Sequence, residues 1–96
     1  YCAEVENAVF SHEAVAECAV FAVPDDRLGE EVGAAVYLRP GNSVAAADLR
    51  AFVGAQLASF KVPRHIWFVT EPLPRNANGK FLKRTLQETL RPEQSA

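Results

Sequence analysis

Cysteine and histidine are scarce in this 96-residue sequence, which contains two of each. Cys2 and Cys18 do not form a CxxC pair, and no cysteine or histidine lies at metal-ligand spacing from His12 or His65. We therefore expect neither a disulfide framework nor a metal site, and a reducing cytoplasm fits the cysteine usage best. Cys18 lies in an apolar run, which predicts a buried residue that packs as a small hydrophobe.

Long apolar runs are also absent. No run approaches the roughly 20 residues that a helix needs to cross a membrane, and no basic-then-apolar signal peptide opens the chain. We expect no transmembrane segment. The first residue is Tyr1 and not methionine, which predicts that the chain is part of a longer protein. Its length allows one domain with one modest core.

Basic residues are few in the first half of the chain. Residues 1–48 carry nine acidic and two basic residues, whereas residues 49–96 carry three acidic and eight basic ones. A cationic half suits phosphate-bearing ligands, although a solvated, charge-balanced surface is the alternative interpretation. We expect no nucleic-acid partner, because the predicted strands are too apolar and the aromatic residues do not form a recognisable stacking platform.

Hydrophobic periodicity predicts an α+β fold with the order α-β-β-α-β-α, in which helices cover a small mixed sheet of about three strands. The predicted elements are helices over 1–11, 44–59 and 81–90 and strands over 15–24, 31–38 and 65–69. The near-continuous apolar run of the first strand is typical of a central strand. Ser43 is a candidate cap for the second helix, Trp67 a packing residue, and residues 92–96 a flexible tail. Gly33 indicates either close approach of another group or a simple bulge.

A constrained turn lies in the segment Pro-Leu-Pro-Arg-Asn-Ala-Asn-Gly-Lys-Phe-Leu-Lys-Arg, residues 72–84. Its two prolines fix an extended approach, and its asparagines and glycine tolerate the positive φ that turns require. Lys80 follows at once, just before the predicted third helix, so its side chain can project into a neighbouring site. The alternative interpretation is a surface turn followed by a basic amphipathic helix.

This segment resembles the last signature motif of the adenylate-forming superfamily, which includes acyl-CoA synthetases, adenylation domains of nonribosomal peptide synthetases and luciferase. The similarity continues, in the same order, through Tyr1-Cys2-Ala3-Glu4-Val5-Glu6, Asp25-Asp26-Arg27-Leu28-Gly29-Glu30 and Phe60-Lys61-Val62-Pro63-Arg64. The chain is most similar to the C-terminal domain of a fatty-acid or other acyl-CoA ligase. The resemblance implies a mobile lid domain over residues 1–91, inactive without a large N-terminal domain that the sequence does not include.

The resemblance also implies two half-reactions. A carboxylic acid reacts with ATP to give an acyl-adenylate and pyrophosphate, with Lys80 as the catalytic lysine, and the CoA thiol then displaces AMP. We expect Mg²⁺ and most ATP contacts in the N-terminal domain. Phe60 and Arg64 match positions that bind the adenine and the 3′-phosphate of CoA in some ligases, although Leu28 stands where those ligases have a stacking tryptophan. Phe60 is alternatively a core residue at a helix end.

Two alternative functions remain at this stage. An adenylation domain that loads a carrier protein has the same motifs, although no carrier-domain sequence follows residue 96. A regulatory or dimerisation domain of similar size is the other alternative, and a long, symmetric, buried edge would favour it.

Overall fold

The computed structural model describes residues 1–27 and 29–96, and its centre is a three-stranded mixed β-sheet. The strands are β1 (Val15–Asp25), β2 (Gly29–Leu38) and β3 (His65–Val69). The helices are α1 (Cys2–Phe10), α2 (Ala46–Gly54) and α3 (Lys83–Thr89), with short 3-10 turns at Ser59–Lys61 and Pro92–Gln94. The predicted α+β class and the order α-β-β-α-β-α are both confirmed.

The sheet has the order β1-β2-β3, with β1 antiparallel to β2 and β2 parallel to β3. The prediction that the first strand is central was wrong, since β2 holds that position. The apolar run of β1 reflects burial of both its faces, because α1 packs on one and α3 on the other. Val20 accordingly joins one apolar cluster, while its neighbour Phe21 joins another.

Two apolar clusters form the core. The larger joins α1, α2 and one face of the sheet, through residues that include Val9, Val36 and Leu49. The smaller joins α3 and the other face, with Trp67 and Leu86 at its centre. The packing role predicted for Trp67 is confirmed, since its side chain is 5% exposed. The predicted burial of Cys18 is confirmed as well.

Gly33 lies at the contact between β2 and the smaller cluster. A Cβ at this position would collide with Val23, and it would lie 2.9 Å from the ring of Trp67. The register of β1 and β2 is irregular only between Val15 and Glu17, so no bulge lies at Gly33. The close approach that the glycine indicated is therefore made by two side chains of the core.

Helix α2 is shorter than predicted. It begins at Ala46 and ends at Gly54, and its N-cap is Ala45, so Ser43 is not the cap. Glycine is a poor helix former, and after Gly54 the chain turns so that Leu57 packs against the larger cluster. The helix therefore ends at Gly54, and Leu57 is partly buried instead of continuing it.

The C-terminal segment differs from the predicted flexible tail. Residues 92–94 form a 3-10 turn, and the Ala96 N–H donates to the carbonyl oxygen of Ile66 at 2.8 Å. Arg50 also donates to the Ala96 carbonyl oxygen. The indole N–H of Trp67 donates to the Arg91 carbonyl oxygen at 2.8 Å. These bonds place residues 91–96 along β3.

Candidate functional site

The segment around Lys80 is a tight hairpin and not the start of a helix. Arg75 and Phe81 face each other in an antiparallel bridge. Between them, the Asn76 N–H donates to the Lys80 carbonyl oxygen at 2.8 Å, and the Gly79 N–H donates to the Asn76 carbonyl oxygen at 3.0 Å. The predicted helix start at 81 was therefore wrong, since α3 begins at Lys83. We call residues 75–81 the Lys80 hairpin.

Asn76 and Gly79 shape the tip of this hairpin. The Asn76 side-chain oxygen accepts hydrogen bonds from the N–H groups of Asn78 at 2.9 Å and Lys80 at 3.0 Å. Gly79 has φ +83°, whereas no non-glycine residue among those described has positive φ. Asn76 thus acts through its side-chain oxygen, and neither asparagine adopts the left-handed backbone that the sequence suggested.

Lys80 combines a fixed backbone with an exposed side chain. Its N–H and carbonyl oxygen are both bonded within the hairpin, while its ammonium has no ion-pair partner among residues 1–27 and 29–96. A lysine ammonium is a compact point charge on a flexible stem. Lys80 can therefore present a positive charge to an anionic group outside this domain.

Two further residues hold the hairpin against the sheet. The Arg75 guanidinium donates to the Gly79 carbonyl oxygen at 3.0 Å and to a Glu17 carboxylate oxygen at 3.1 Å. The other carboxylate oxygen of Glu17 accepts from the Leu73 N–H at 2.8 Å. The contacts of Glu17 were not predicted from the sequence, although a glutamate inside the apolar run of β1 was a usable signal.

Phe60 and Arg64 lie before β3, on a different part of the surface. Phe60 is 68% exposed, so its interpretation as a core residue was wrong. The Tyr1 ring meets its ring edge-on at 6.1 Å, and the Lys61 ammonium lies 5.7 Å from the centre of each ring. An exposed aromatic ring beside a cation can bind a flat heterocycle by stacking.

Arg64 is exposed, and its backbone N–H donates to the Val32 carbonyl oxygen at 2.8 Å. Its side chain lines a polar cleft together with Asp25, Arg27 and Glu31. Leu28, where the related ligases have a tryptophan, lies outside the described residues.

His65 follows Arg64 at the start of β3. Burial disfavours its charged ring and, with the nearby positive charge of Arg64, lowers the pKa of His65 below its ordinary 6.5. Its Nδ1 atom lies 2.8 Å from the Ser95 hydroxyl oxygen. Burial and the positive charge of Arg64 thus both favour a neutral His65 ring.

The structure separates the two groups of predicted site residues. Arg64 directly precedes β3, whose first residue, His65, pairs with Gly33 of β2. Glu17, which holds the Lys80 hairpin, pairs with Tyr37 at the level of Val69, the last residue of β3. Four residue steps along a strand measure about 13 Å. The hairpin is thus anchored near one end of β3, and Arg64 lies just before the other end of β3.

Two features are absent from residues 1–27 and 29–96. No helix there is long and apolar enough to cross a membrane. No group of three or more histidine, cysteine, aspartate or glutamate residues there is arranged to hold a metal ion.

Comparison with known proteins finds relatives that are named as ligases. A 3-[(3aS,4S,7aS)-7a-methyl-1,5-dioxo-octahydro-1H-inden-4-yl]propanoyl:CoA ligase of Rhodococcus jostii (strain RHA1) is 50% identical over 88 residues. The fatty acid–[acyl-carrier-protein] ligase ScoC of Streptomyces coeruleorubidus is 44% identical over 88 residues. Each match covers 92% of this chain and 17% of the relative, so the chain spans about a sixth of these proteins.

Solved structures give the same result for the fold. ATP-bound MatB from Rhodopseudomonas palustris matches with a TM-score of 0.86 and 37% identity, over 93% of this chain and 18% of that chain. The model of the AMP-binding enzyme C-terminal domain family matches residues 4–80, a range that ends on Lys80. Most of the sequence and the whole sheet lie in that range, and the chain therefore belongs to the AMP-binding enzyme C-terminal domain family.

Proposed function

We propose that this chain is the C-terminal domain of an ATP-dependent, AMP-forming acyl-CoA ligase and that Lys80 serves its first half-reaction. Family membership and a relative named as a CoA ligase support the reaction class. The observation that carries the residue assignment is the exposed Lys80 side chain on a hairpin that binds both the N–H and the carbonyl oxygen of Lys80. A fixed backbone limits where the ammonium can reach, and this favours a positioned charge over a solvated one.

In the proposed first step, a substrate carboxylate oxygen attacks the α-phosphorus of ATP, and the bond to pyrophosphate breaks. Negative charge is concentrated where the carboxylate and the phosphate oxygens approach, and the Lys80 ammonium offsets it. Lys80 needs neither to accept a proton nor to form a bond. We assign the acid, most contacts with ATP, and Mg²⁺ to the N-terminal domain of the same enzyme.

In the proposed second step, the CoA sulfur attacks the acyl carbonyl carbon, AMP leaves, and a thioester forms. Phe60 offers an exposed ring for the adenine of CoA, and Arg64 offers a guanidinium for its 3′-phosphate. The Lys80 hairpin and Arg64 are at opposite ends of β3. We therefore propose that residues 1–91 rotate as a lid between the half-reactions, so that each end serves one step.

The Lys80 assignment is tested in the full-length enzyme with Lys80→Ala. We expect carboxylate-dependent pyrophosphate exchange to fall by roughly 10²- to 10³-fold, the usual effect of losing one charge-stabilising group. Thioester formation from a supplied acyl-adenylate should persist. Arg84→Ala is the matched control, because it removes an equal charge from an exposed position on α3. If both half-reactions of Lys80→Ala match the wild type, the assignment is wrong.

A carrier protein is the second candidate for the acceptor. The observation that favours it is the 44% identity to a ligase named for an acyl-carrier-protein. Phe60→Ala and Arg64→Ala separate the candidates, because they remove proposed contacts with the adenine and 3′-phosphate. A raised KM for CoA with unchanged adenylation supports a CoA acceptor. Unchanged use of CoA contradicts the proposed contacts of Phe60 and Arg64, and activity only with a carrier protein contradicts a CoA acceptor.

We also propose a cytoplasmic location. The support is that Cys2 and Cys18 are both free thiols, as is usual in a reducing compartment. Fractionation of cells that produce the full-length enzyme tests this location directly.

A further inference from the structure

Glu17 is an unusual residue for its place in the fold. It lies in β1 next to buried Cys18, and its side chain is only 20% exposed. A carboxylate in such a place loses hydration, and it is stable there only with good partners. Both of its oxygens have one, the Leu73 N–H at 2.8 Å and the Arg75 guanidinium at 3.1 Å. Leu73 lies just before the Lys80 hairpin, and Arg75 is its first residue.

Arg75 joins this carboxylate to the tip of the hairpin. One guanidinium nitrogen donates to Glu17, and another donates to the carbonyl oxygen of Gly79, the residue before Lys80. The guanidinium centre also lies 4.3 Å from the centre of the Phe81 ring, which fixes the plane of the group. A single planar side chain thus connects strand β1 to the backbone beside the lysine.

We propose that Glu17 and Arg75 form a positioning pair that sets the location of Lys80 for adenylation. This inference rests on the proposed role of Lys80. Neither residue touches a reacting atom. Glu17 fixes Arg75 to the sheet, and Arg75 fixes the Gly79–Lys80 peptide, so that the ammonium starts from one defined point. A displacement of about 1 Å at a reacting group can cost 10²-fold in rate.

The test uses Glu17→Gln and Arg75→Lys in the full-length enzyme. Glutamine keeps an acceptor for the Leu73 N–H but loses the ion pair, while lysine keeps the charge but cannot bridge two acceptors in one plane. We expect each variant to lower the turnover of pyrophosphate exchange by roughly 10- to 100-fold. The KM for ATP and thioester formation from a supplied acyl-adenylate should stay near their wild-type values.

A matched control is available in the Glu6–Lys83 pair. Glu6 also accepts from a backbone N–H, that of Val20 at 2.8 Å, and pairs with Lys83 at 2.7 Å, but neither residue belongs to the hairpin. Glu6→Gln therefore removes an ion pair of similar exposure. It should leave pyrophosphate exchange unchanged. An equal loss in Glu6→Gln and Glu17→Gln would overturn the inference, because it would point to general destabilisation.

The decisive measurement combines Glu17→Gln with Lys80→Ala. If the pair acts through Lys80, Glu17→Gln causes no further loss once the ammonium is absent. If the two losses multiply, or if Arg75→Lys has wild-type exchange while Lys80→Ala does not, the positioning role is wrong and the role of Lys80 stands. If Lys80→Ala has wild-type exchange, the proposed function fails first, and the inference fails with it.

Discussion

Gly79 is the residue on which the shape of the Lys80 hairpin depends most directly. Its φ of +83° lies in the left-handed region, which other residues adopt at a cost. A Cβ built on Gly79 would meet no atom within 4 Å. A side chain at position 79 would therefore change stability by straining the backbone at positive φ and not by colliding with another atom.

We predict that Gly79→Ala lowers the free energy of unfolding by about 1 kcal/mol and also slows adenylation. The reason is that the alanine strains the peptide next to Lys80 or shifts it out of place. Denaturant unfolding of the chain and pyrophosphate exchange of the full-length enzyme measure the two effects.

Gly41 provides the matched control for this change. It has φ +82°, its Cβ would also meet no atom within 4 Å, and it lies in the turn between β2 and α2. Gly41→Ala should have a similar cost in stability but leave adenylation unchanged. Equal adenylation losses in the two variants would show that the hairpin geometry is not what matters.

Residue chemistry explains which parts of the site were visible in the sequence. The Lys80 turn was predictable, because proline, asparagine and glycine encode turns over a few neighbouring positions. The Glu17–Arg75 contact was not, because it joins residues 58 positions apart. The exposure of Phe60 was equally hidden, since an aromatic residue near a helix end is usually buried and only the fold decides.

Among the elements, β2 has no room for a side chain at Gly33. Its missing side chain leaves room for Val23 and for the Trp67 ring, which would lie 2.9 Å from a Cβ. We predict that Gly33→Ala destabilises the fold by about 1–3 kcal/mol, because overpacking forces core side chains or strands to shift. Denaturant unfolding of the chain measures the loss.

Gly54→Ala is the control for this element. Gly54 ends α2 with only one contact for a Cβ, Val62 at 3.7 Å, an ordinary van der Waals distance. Alanine also favours the helix more than glycine. The Gly54→Ala variant should have an unchanged or slightly higher free energy of unfolding. A loss of stability as large as that of Gly33→Ala would contradict the packing explanation.

The elements themselves were largely predictable, and the errors have physical causes. The limits of β3 were predicted correctly at His65 and Val69 because aromatic and β-branched residues are confined to that stretch. The apolar run of β1 arises because helices bury both faces of this edge strand. A central strand, paired along both edges, has the same kind of apolar run, so the sequence cannot distinguish the two cases. The third helix was predicted two residues too early, because the bridge between Arg75 and Phe81 takes those residues into the hairpin.

At the scale of the whole molecule, strand β3 separates two chemically different regions, one at each of its ends. The Lys80 hairpin is attached at the Val69 end of β3, and Arg64 precedes the His65 end. Charge counts along the sequence placed both in one cationic half, and only the strand register separates them. A single rigid body can therefore serve two chemical steps if it presents first one end and then the other.

The labelling rate of the buried Cys18 thiol measures how often the core of the domain opens. Burial raises the pKa of Cys18 from 9.0 to about 12, and the negative charge of Glu6 acts in the same direction. Thiolates are the reactive form, so the native chain should protect Cys18 from iodoacetamide at pH 8. We predict labelling roughly a hundredfold slower than at half-buried Cys2, limited by opening of the core.

Mass spectrometry of timed samples resolves the two thiols, and urea should bring both to similar rates. The raised pKa of Cys18 also determines how the stability of the fold changes with pH in alkaline solution. The unfolded thiol ionises above pH 9.0 and the folded one near 12, so the contribution of Cys18 to stability declines as pH rises between these values. Cys18→Ala should flatten that decline. Rapid labelling of Cys18 without urea would instead mean that β1 separates readily from α1, which would contradict the proposal that residues 1–91 rotate as one body.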